Sequence, residues 1–207
     1  MRGPIMAMAG VAVLAAALVL GCSGSGEKPA TDPKPKPAEK AGKTEADKHQ
    51  VLMQFEDFTR ATLVDGGEVT LKSLRGKVVL LDLFGTWCPP CRRSIPILVS
   101  LYARFHAKGL EVVGLAYEQT KEPQEASMRV KAFCEEFKIP YVLALGPDEV
   151  WPEITRKLNA EGAIPTLLFV DRQGVVRYMF QGLEPGEEEV LSQRLEKLLA
   201  EPAPPTE

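Results

Sequence analysis

Cys88 and Cys91 stand three residues apart in the run Trp87-Cys88-Pro89-Pro90-Cys91, just after an apolar stretch that ends at Gly85. Two thiols at that spacing can form a structural bridge, half of a zinc site or a dithiol redox centre. As a bridge the pair is poor, because so short a loop yields about 2 kcal/mol of chain entropy, against about 3 kcal/mol for a 15-residue loop. As a zinc half-site it needs a second ligand pair, and Cys134, His49 and His106 do not supply one. As a redox centre its setting makes sense. A strand ending at Gly85 and followed by Cys88 places one sulfur at a helix N-terminus. There, backbone N–H groups and the helix dipole favour the thiolate. Cys88, read as the exposed and more acidic thiol, would attack a client disulfide. Cys91, one helical turn deeper, would resolve the mixed disulfide.

The elements that must hold this pair follow from hydrophobic periodicity. Residues 61–64 and 68–71, separated by Asp65-Gly66-Gly67, read as a β-hairpin. The continuous apolar run 78–84 suits a buried central strand. A helix follows the cysteines, with Ile95, Leu98, Val99, Tyr102 and Phe105 on one face. Further strands are expected at 110–116, 141–145, 166–170 and 175–181, the last two joined by a turn at Arg172-Gln173-Gly174. Helices are expected at 124–138, at 149–158 with Pro152 in the first turn, and at 187–199 with Val190, Leu191, Leu195 and Leu198 inward. Strands alternating with helices predict an α/β sandwich whose central mixed sheet is flanked by helices.

Ahead of this domain the chain changes character twice. Arg2 and the apolar run 5–20 have the form of an export signal. The run closes in Val19-Leu20-Gly21-Cys22, which resembles the lipobox of bacterial lipoproteins, with Leu20 bulkier than is usual there. That resemblance implies removal of 1–21 and lipidation of Cys22. The alternative is an uncleaved membrane helix, since 3–26 carries no charge and is long enough to span a bilayer. Either reading places the domain outside the cytoplasm. Residues 23–50, built of Lys, Pro, Ala, Glu and Gly, have no hydrophobic period and are expected to be a disordered tether. Its reach is about 30 Å as a coil and about 80 Å as extended polyproline II. The expected organisation is thus 1–22 leader, 23–50 tether, 51–200 domain and 201–207 flexible tail.

With 207 residues, 45% of them hydrophobic and a net charge of -3, the chain accommodates one ordinary domain plus appendages. It carries no basic cluster interleaved with aromatics, so nucleic acid is not an expected partner. Four cysteines are too few for a disulfide-built scaffold.

The run Leu83-Phe84-Gly85-Thr86-Trp87-Cys88-Pro89-Pro90-Cys91 resembles the active-site segment of the thioredoxin superfamily, in particular its TlpA/ResA-like extracytoplasmic branch. The resemblance covers about 55–199. It implies a thioredoxin-like three-layer sandwich, here with an N-terminal β-hairpin extension. It also implies a thiol-disulfide oxidoreductase with no cofactor or metal beyond the Cys88–Cys91 disulfide. Pro96 falls where thioredoxins kink the active-site helix. Ile164-Pro165-Thr166 resembles the cis-proline loop that lies against the disulfide, which makes Ile164 the position where an extended client would pair by strand addition. A proline opening a strand also has an ordinary structural reading. Asp82 stands where thioredoxin has a buried acid. An acid at the end of an apolar strand has its pKa raised by desolvation, which suits it to take the Cys91 proton; otherwise it bonds a loop amide. Trp87 offers an apolar platform for the client or is a packing residue. The branch commonly has Glu three residues after its second Cys, and here Ser94 stands there.

The same resemblance implies a reductant of exported protein disulfides, in some relatives the haem-site thiols of cytochrome c maturation. Its partners would be a membrane electron-donor protein and the lipid held through Cys22, and the protein would be a monomer. Two rivals share the fold. A thiol peroxidase of the peroxiredoxin kind places Thr three residues before its Cys, whereas Thr86 is two before Cys88. A Sco-type copper chaperone separates its cysteines by three residues and adds a His ligand. Other side chains have ordinary readings: Cys134 as a core thiol beside Val130, Phe133 and Phe137, His106 as a helix cap, Trp151 as packing, and Glu187 to Glu189 as a solvated first turn.

Overall fold

The computed structural model describes residues 52–54, 61–160, 162–183 and 186–203. The expected leader 1–22, the lipidation position Cys22, the tether 23–50 with His49, and residues 204–207 lie outside the described residues. Among those described, no helix is long and apolar enough to cross a membrane.

Among the described residues, eight strands form one sheet in the order β1-β8-β7-β4-β5-β6-β2-β3. They are β1 (Met53–Gln54), β2 (Ala61–Leu63), β3 (Glu68–Val69), β4 (Val78–Phe84), β5 (Leu110–Ala116), β6 (Val142–Leu145), β7 (Thr166–Val170) and β8 (Val175–Gln181). β4, β5 and β6 run parallel, while β7 is antiparallel to β4 and β8 to β7. The sheet is therefore mixed. Every residue of β4, β5 and β7 is buried, as near-continuous apolar runs require when helices cover both faces. The expected hairpin is present, with Gly66 and Gly67 at φ 95° and 91°, and it extends the sheet at the β6 edge through β2. Its second strand stops at Val69, because a 3₁₀ turn at Lys72–Leu74 takes over.

Among the described residues, four α-helices complete the sandwich: α1 (Pro89–Phe105), α2 (Pro123–Phe137), α3 (Val150–Leu158) and α4 (Glu188–Ala200). Side chains of alternate strand residues separate into two cores. One packs Val78, Leu80, Phe84, Val112, Leu143 and Phe169 against α1, α2 and α4. The other packs Val79, Leu81, Leu83, Leu115 and Leu168 against α3 and the hairpin.

Two helix faces differ from expectation. In α1 the buried stripe is Cys91, Ser94, Ile95, Leu98, Leu101 and Phe105, so Leu101 takes the inward place and Val99 and Tyr102 flank it half-buried. In α4, Val190 is 41% exposed, because the inward stripe runs through Leu191, Ser192, Leu195 and Leu198. A residue one position off such a stripe is rotated about 100° away from the core. Glu201, the first residue of the expected tail, pairs with Arg177 at 3.1 Å.

Candidate active site

The site lies where β4 leaves the middle of the sheet and α1 begins. Cys88 is the N-cap of α1, in extended conformation (φ -90°, ψ 110°), with Pro89 and Pro90 as the first two helical residues. Proline is well suited there, since its ring presets φ and its missing N–H would be unpaired anyway. The first helical N–H available is therefore that of Cys91, which points at Cys88 Sγ from 3.3 Å. The two cysteines form a disulfide with a Cα–Cα distance of 5.3 Å.

Sequence placed Cys88 in an exposed position, and the structure corrects this: Cys88 is 3% exposed and Cys91 fully buried. Cys88 is covered because the loop before β7 lies against it. The Ile164–Pro165 peptide is cis, and the Ile164 carbonyl oxygen is 3.8 Å from Cys88 Sγ. Pro165 is buried and Ile164 half-buried, and of these two residues expected at the client-binding edge it is Ile164 whose carbonyl faces the sulfur.

Asp82 shares this side of the sheet. Leu80 and Phe84, the neighbours in phase with it along β4, pack in the same core as both cysteines. Its side chain is fully buried, and neither carboxylate oxygen has a hydrogen-bond partner among the described residues. The loop-amide alternative is therefore not what the structure holds. Burial pushes the Asp82 carboxyl from 3.8 up to about 7, because nothing offsets the desolvation of its charge.

Trp87 is partly packed and partly open to solvent. The side chain is 45% exposed, yet its indole Nε1–H donates to the Tyr117 carbonyl at 2.9 Å. The ring lies over Gly85, where an added Cβ would come within 2.6 Å of Nε1. Glycine is thus required at this strand end to admit the indole. Ser94, where the resemblance led to the expectation of Glu, is buried and its hydroxyl donates to the Cys91 carbonyl at 2.7 Å.

Glu118 belongs to the site and was not anticipated. Its carboxylate accepts from the Thr86 N–H at 2.9 Å and from the Thr86 hydroxyl at 2.7 Å, which pins the turn between β4 and Cys88. Arg92 supports the same turn by donating to the Thr86 carbonyl at 3.3 Å. Its guanidinium lies over the rings of Phe133 and Phe137 and pairs with Glu136. The pairing of Phe84 with Ala116 sets residues 86 and 118 side by side beyond the strand ends. The signal for Glu118 therefore existed only in the parallel register.

The residues given ordinary readings stay apart from this chemistry. Cys134 is half-buried against the core, its thiol facing the Ile139 carbonyl at 3.5 Å, and burial raises its pKa. His106 closes α1, with Nδ1 3.2 Å from the Leu110 carbonyl. Trp151 packs near Tyr117, with ring centroids 5.6 Å apart. Among the described residues, no three of His, Cys, Asp and Glu gather into a set that could hold a metal ion.

The chain matches the family described as Redoxin over residues 50–195. It is 28% identical over 130 residues to the thiol-disulfide oxidoreductase ResA of Bacillus anthracis, covering 63% of this chain and 69% of the relative. It is 29% identical over 144 residues to ResA of Geobacillus thermodenitrificans, covering 69% and 74%. Among solved structures, one is a Chlorobium tepidum protein provisionally named as the thiol:disulfide interchange protein DsbE. It aligns with a TM-score of 0.61 at 26% identity, covering 74% of this chain and all of that one.

Proposed function

We propose that this chain, a thiol-disulfide oxidoreductase of the ResA/DsbE type that belongs to the Redoxin family, runs its chemistry as a reductase of disulfides in exported proteins. The observation that carries the reading is the Cys88–Cys91 disulfide at the N-terminus of α1, with Cys88 Sγ facing the carbonyl of the cis-proline loop. In the reduced protein the Cys88 thiolate attacks a client disulfide. One client sulfur leaves as thiolate and the other is held in a mixed disulfide with Cys88. Cys91 then yields its proton to Asp82 and attacks Cys88 Sγ. The Cys88–client bond breaks as the Cys88–Cys91 bond forms, so the client leaves with both sulfurs reduced. The electrons reside in the cysteine pair alone, and no other cofactor takes part.

The direction follows from how weakly the reduced form is favoured. A dithiol is a strong oxidant when its fold stabilises the nucleophilic thiolate, as in an enzyme with a nucleophile pKa near 3.5 and a potential near about -120 mV. Here Pro89 and Pro90 bring neither a side-chain donor nor an N–H, leaving the single Cys91 N–H at 3.3 Å. The Cys88 thiolate is then stabilised moderately, toward thioredoxin, whose potential is about -270 mV. The reading is completed by lipid anchoring through Cys22, a tethered position outside the cytoplasm, and recharging of a monomer by a membrane electron-donor protein. Clients include thiols such as those of haem attachment sites in cytochrome c maturation. Equilibration with glutathione or dithiothreitol buffers measures the potential. A value below about -220 mV is expected, and one near -120 mV would make the protein an oxidase.

A further inference from the structure

With Pro89 and Pro90 as its first two residues, α1 has one early N–H to offer the sulfur at its N-cap, that of Cys91 at 3.3 Å. A thiolate at Cys88 therefore gains from the helix start only while Cys88 keeps the N-cap position. In the oxidised chain the disulfide holds it there. In the reduced chain that covalent hold is gone, and the backbone on either side of Cys88 has to replace it. On the helix side the Arg92 N–H donates to the Cys88 carbonyl at 3.1 Å. On the strand side the Cys88 N–H donates to the Gly85 carbonyl, also at 3.1 Å, which closes a turn over residues 85–88. Where the sulfur sits thus follows from how residues 86 and 87 lie.

Those two residues are fastened from both flanks. After β5, the Tyr117 N–H donates to the Phe84 carbonyl at 2.8 Å, and the Trp87 indole donates to the Tyr117 carbonyl at 2.9 Å. Glu118, half-buried, commits both carboxylate oxygens to Thr86, one to its N–H at 2.9 Å and one to its hydroxyl at 2.7 Å. From α1, Arg92 donates to the Thr86 carbonyl at 3.3 Å, with its guanidinium laid over Phe133 and Phe137. The peptide group on each side of Thr86 is thereby set, one by an anion and the other by a cation. Hydrogen bonds with an ionised partner are about twice as strong as neutral ones, so this grip outlasts the disulfide.

We propose that Glu118 is a positioning residue for the nucleophile: gripping Thr86 opposite Arg92, it keeps reduced Cys88 at the N-cap, where the Cys91 N–H stabilises its thiolate. This rests on Cys88 as the attacking thiol. The role is one of reach, not of charge, and the two act in opposite directions. A carboxylate acting through its charge would repel the Cys88 thiolate and make the thiol less acidic, whereas one that holds the turn makes it more acidic. Of the elements that meet at Cys88, β4 contributes the titratable Asp82, and α1 contributes Cys91, Arg92 and Arg93. The segment before β6 contributes Tyr141 of the same core, and residues 163–165 contribute none. Replacing Glu118 leaves all of these in place.

The test follows alkylation of the full reduced chain by iodoacetamide against pH, with the modified cysteine located by peptide mass spectrometry. The midpoint of the rate profile reads the acidity of the attacking thiol. In Glu118→Ala the Cys88 midpoint should rise by about one pH unit, the loss expected when a hydrogen bond to an ionised group is weakened. Equilibrium with glutathione should shift toward the disulfide, since the reduced form has lost stabilisation. Glu118→Gln keeps the reach without the charge: its amide oxygen accepts from the Thr86 N–H, and its NH₂ donates to the Thr86 hydroxyl oxygen. It should return the midpoint to the wild-type value. An unchanged midpoint in Glu118→Ala, or a lowered one in either variant, overturns the proposal. Should Glu118→Ala not fold, Glu118→Asp takes its place, keeping the charge and drawing it back by one methylene. The same rise is expected there, and an unchanged midpoint is equally fatal. Wild-type alkylation that maps to Cys91 would overturn the choice of nucleophile and the proposal with it. Alkylation at Cys88 that ignores every Glu118 variant would remove the role of Glu118 alone.

Discussion

Replacing Asp82 by Asn should alter how stability depends on pH, by an amount that can be worked from the structure. Burial holds the folded carboxyl at about 7, against an ordinary value of 3.8. Below about pH 4 the group is protonated in both folded and unfolded chains and makes no difference between them. Between about pH 4 and 7 the folded state keeps a proton that the unfolded state has released, so stability falls as pH rises. Above 7 both states are ionised, and the whole cost of burying the charge is present. A displacement of about three units corresponds to about 4 kcal/mol, a large share of a typical domain stability of about 5 to 15 kcal/mol. The buried amide of Asn carries its own unsatisfied polar group, but that cost does not vary with pH. Urea denaturation of the oxidised wild type and of Asp82→Asn is therefore compared at intervals from pH 4 to 8, since subtraction cancels every other titrating group. The variant should gain on the wild type by about 2 to 4 kcal/mol across this range. The same change should slow disulfide exchange by about 10²-fold or more, the usual contribution of general acid-base assistance. Stability curves that stay parallel would refute the buried-charge reasoning, whatever the rate does.

Two further outcomes are expected. Cys91→Ser should accumulate long-lived mixed disulfides through Cys88, visible on non-reducing gels of intact cells, while Cys88→Ser traps little; the reverse pattern would exchange the two roles. Cys22→Ala should leave an unlipidated precursor, since alanine offers no thiol to carry the lipid, and without acyl chains the protein loses its hold on the bilayer. Mature protein of unchanged mass still fractionating with membranes would remove the lipobox reading.

The middle of the sheet was legible because β4, β5 and β7 are buried on both faces. Four runs, β4, β5, β7 and β8, have the bounds their apolar patterns predict. Such runs tolerate no polar interruption unless it carries a purpose, and β4 has one: Asp82 stands out as the lone charge in Val-Val-Leu-Leu-Asp-Leu-Phe. Helix faces were less legible. A run such as Glu188–Ala200 contains more apolar residues than one stripe can hold, and which of them turns inward depends on where the helix starts. Val190 fell outside for that reason, and buried Ser192, which accepts from Arg104 at 2.7 Å, fell inside.

The cysteine pair could be found in one dimension because it is tied to a local pattern, the start of a helix after a buried strand, whereas Asp82 and the Ile164-Pro165 loop were singled out chiefly by the resemblance to the thioredoxin superfamily. Glu118 could not be found in either way. It acts across the sheet on the turn before Cys88, and it is an ordinary side chain in its own segment. What brings it in is register: Phe84 beside Ala116 carries Thr86 to Glu118. A slip of one residue in that pairing would turn the alternating side chains to the opposite face and undo the relation. The turn that carries Cys88 thus depends on long-range strand pairing as much as on the motif. Disturbing the β4–β5 register should loosen that turn before it separates the two cysteines, whose spacing is set where α1 begins.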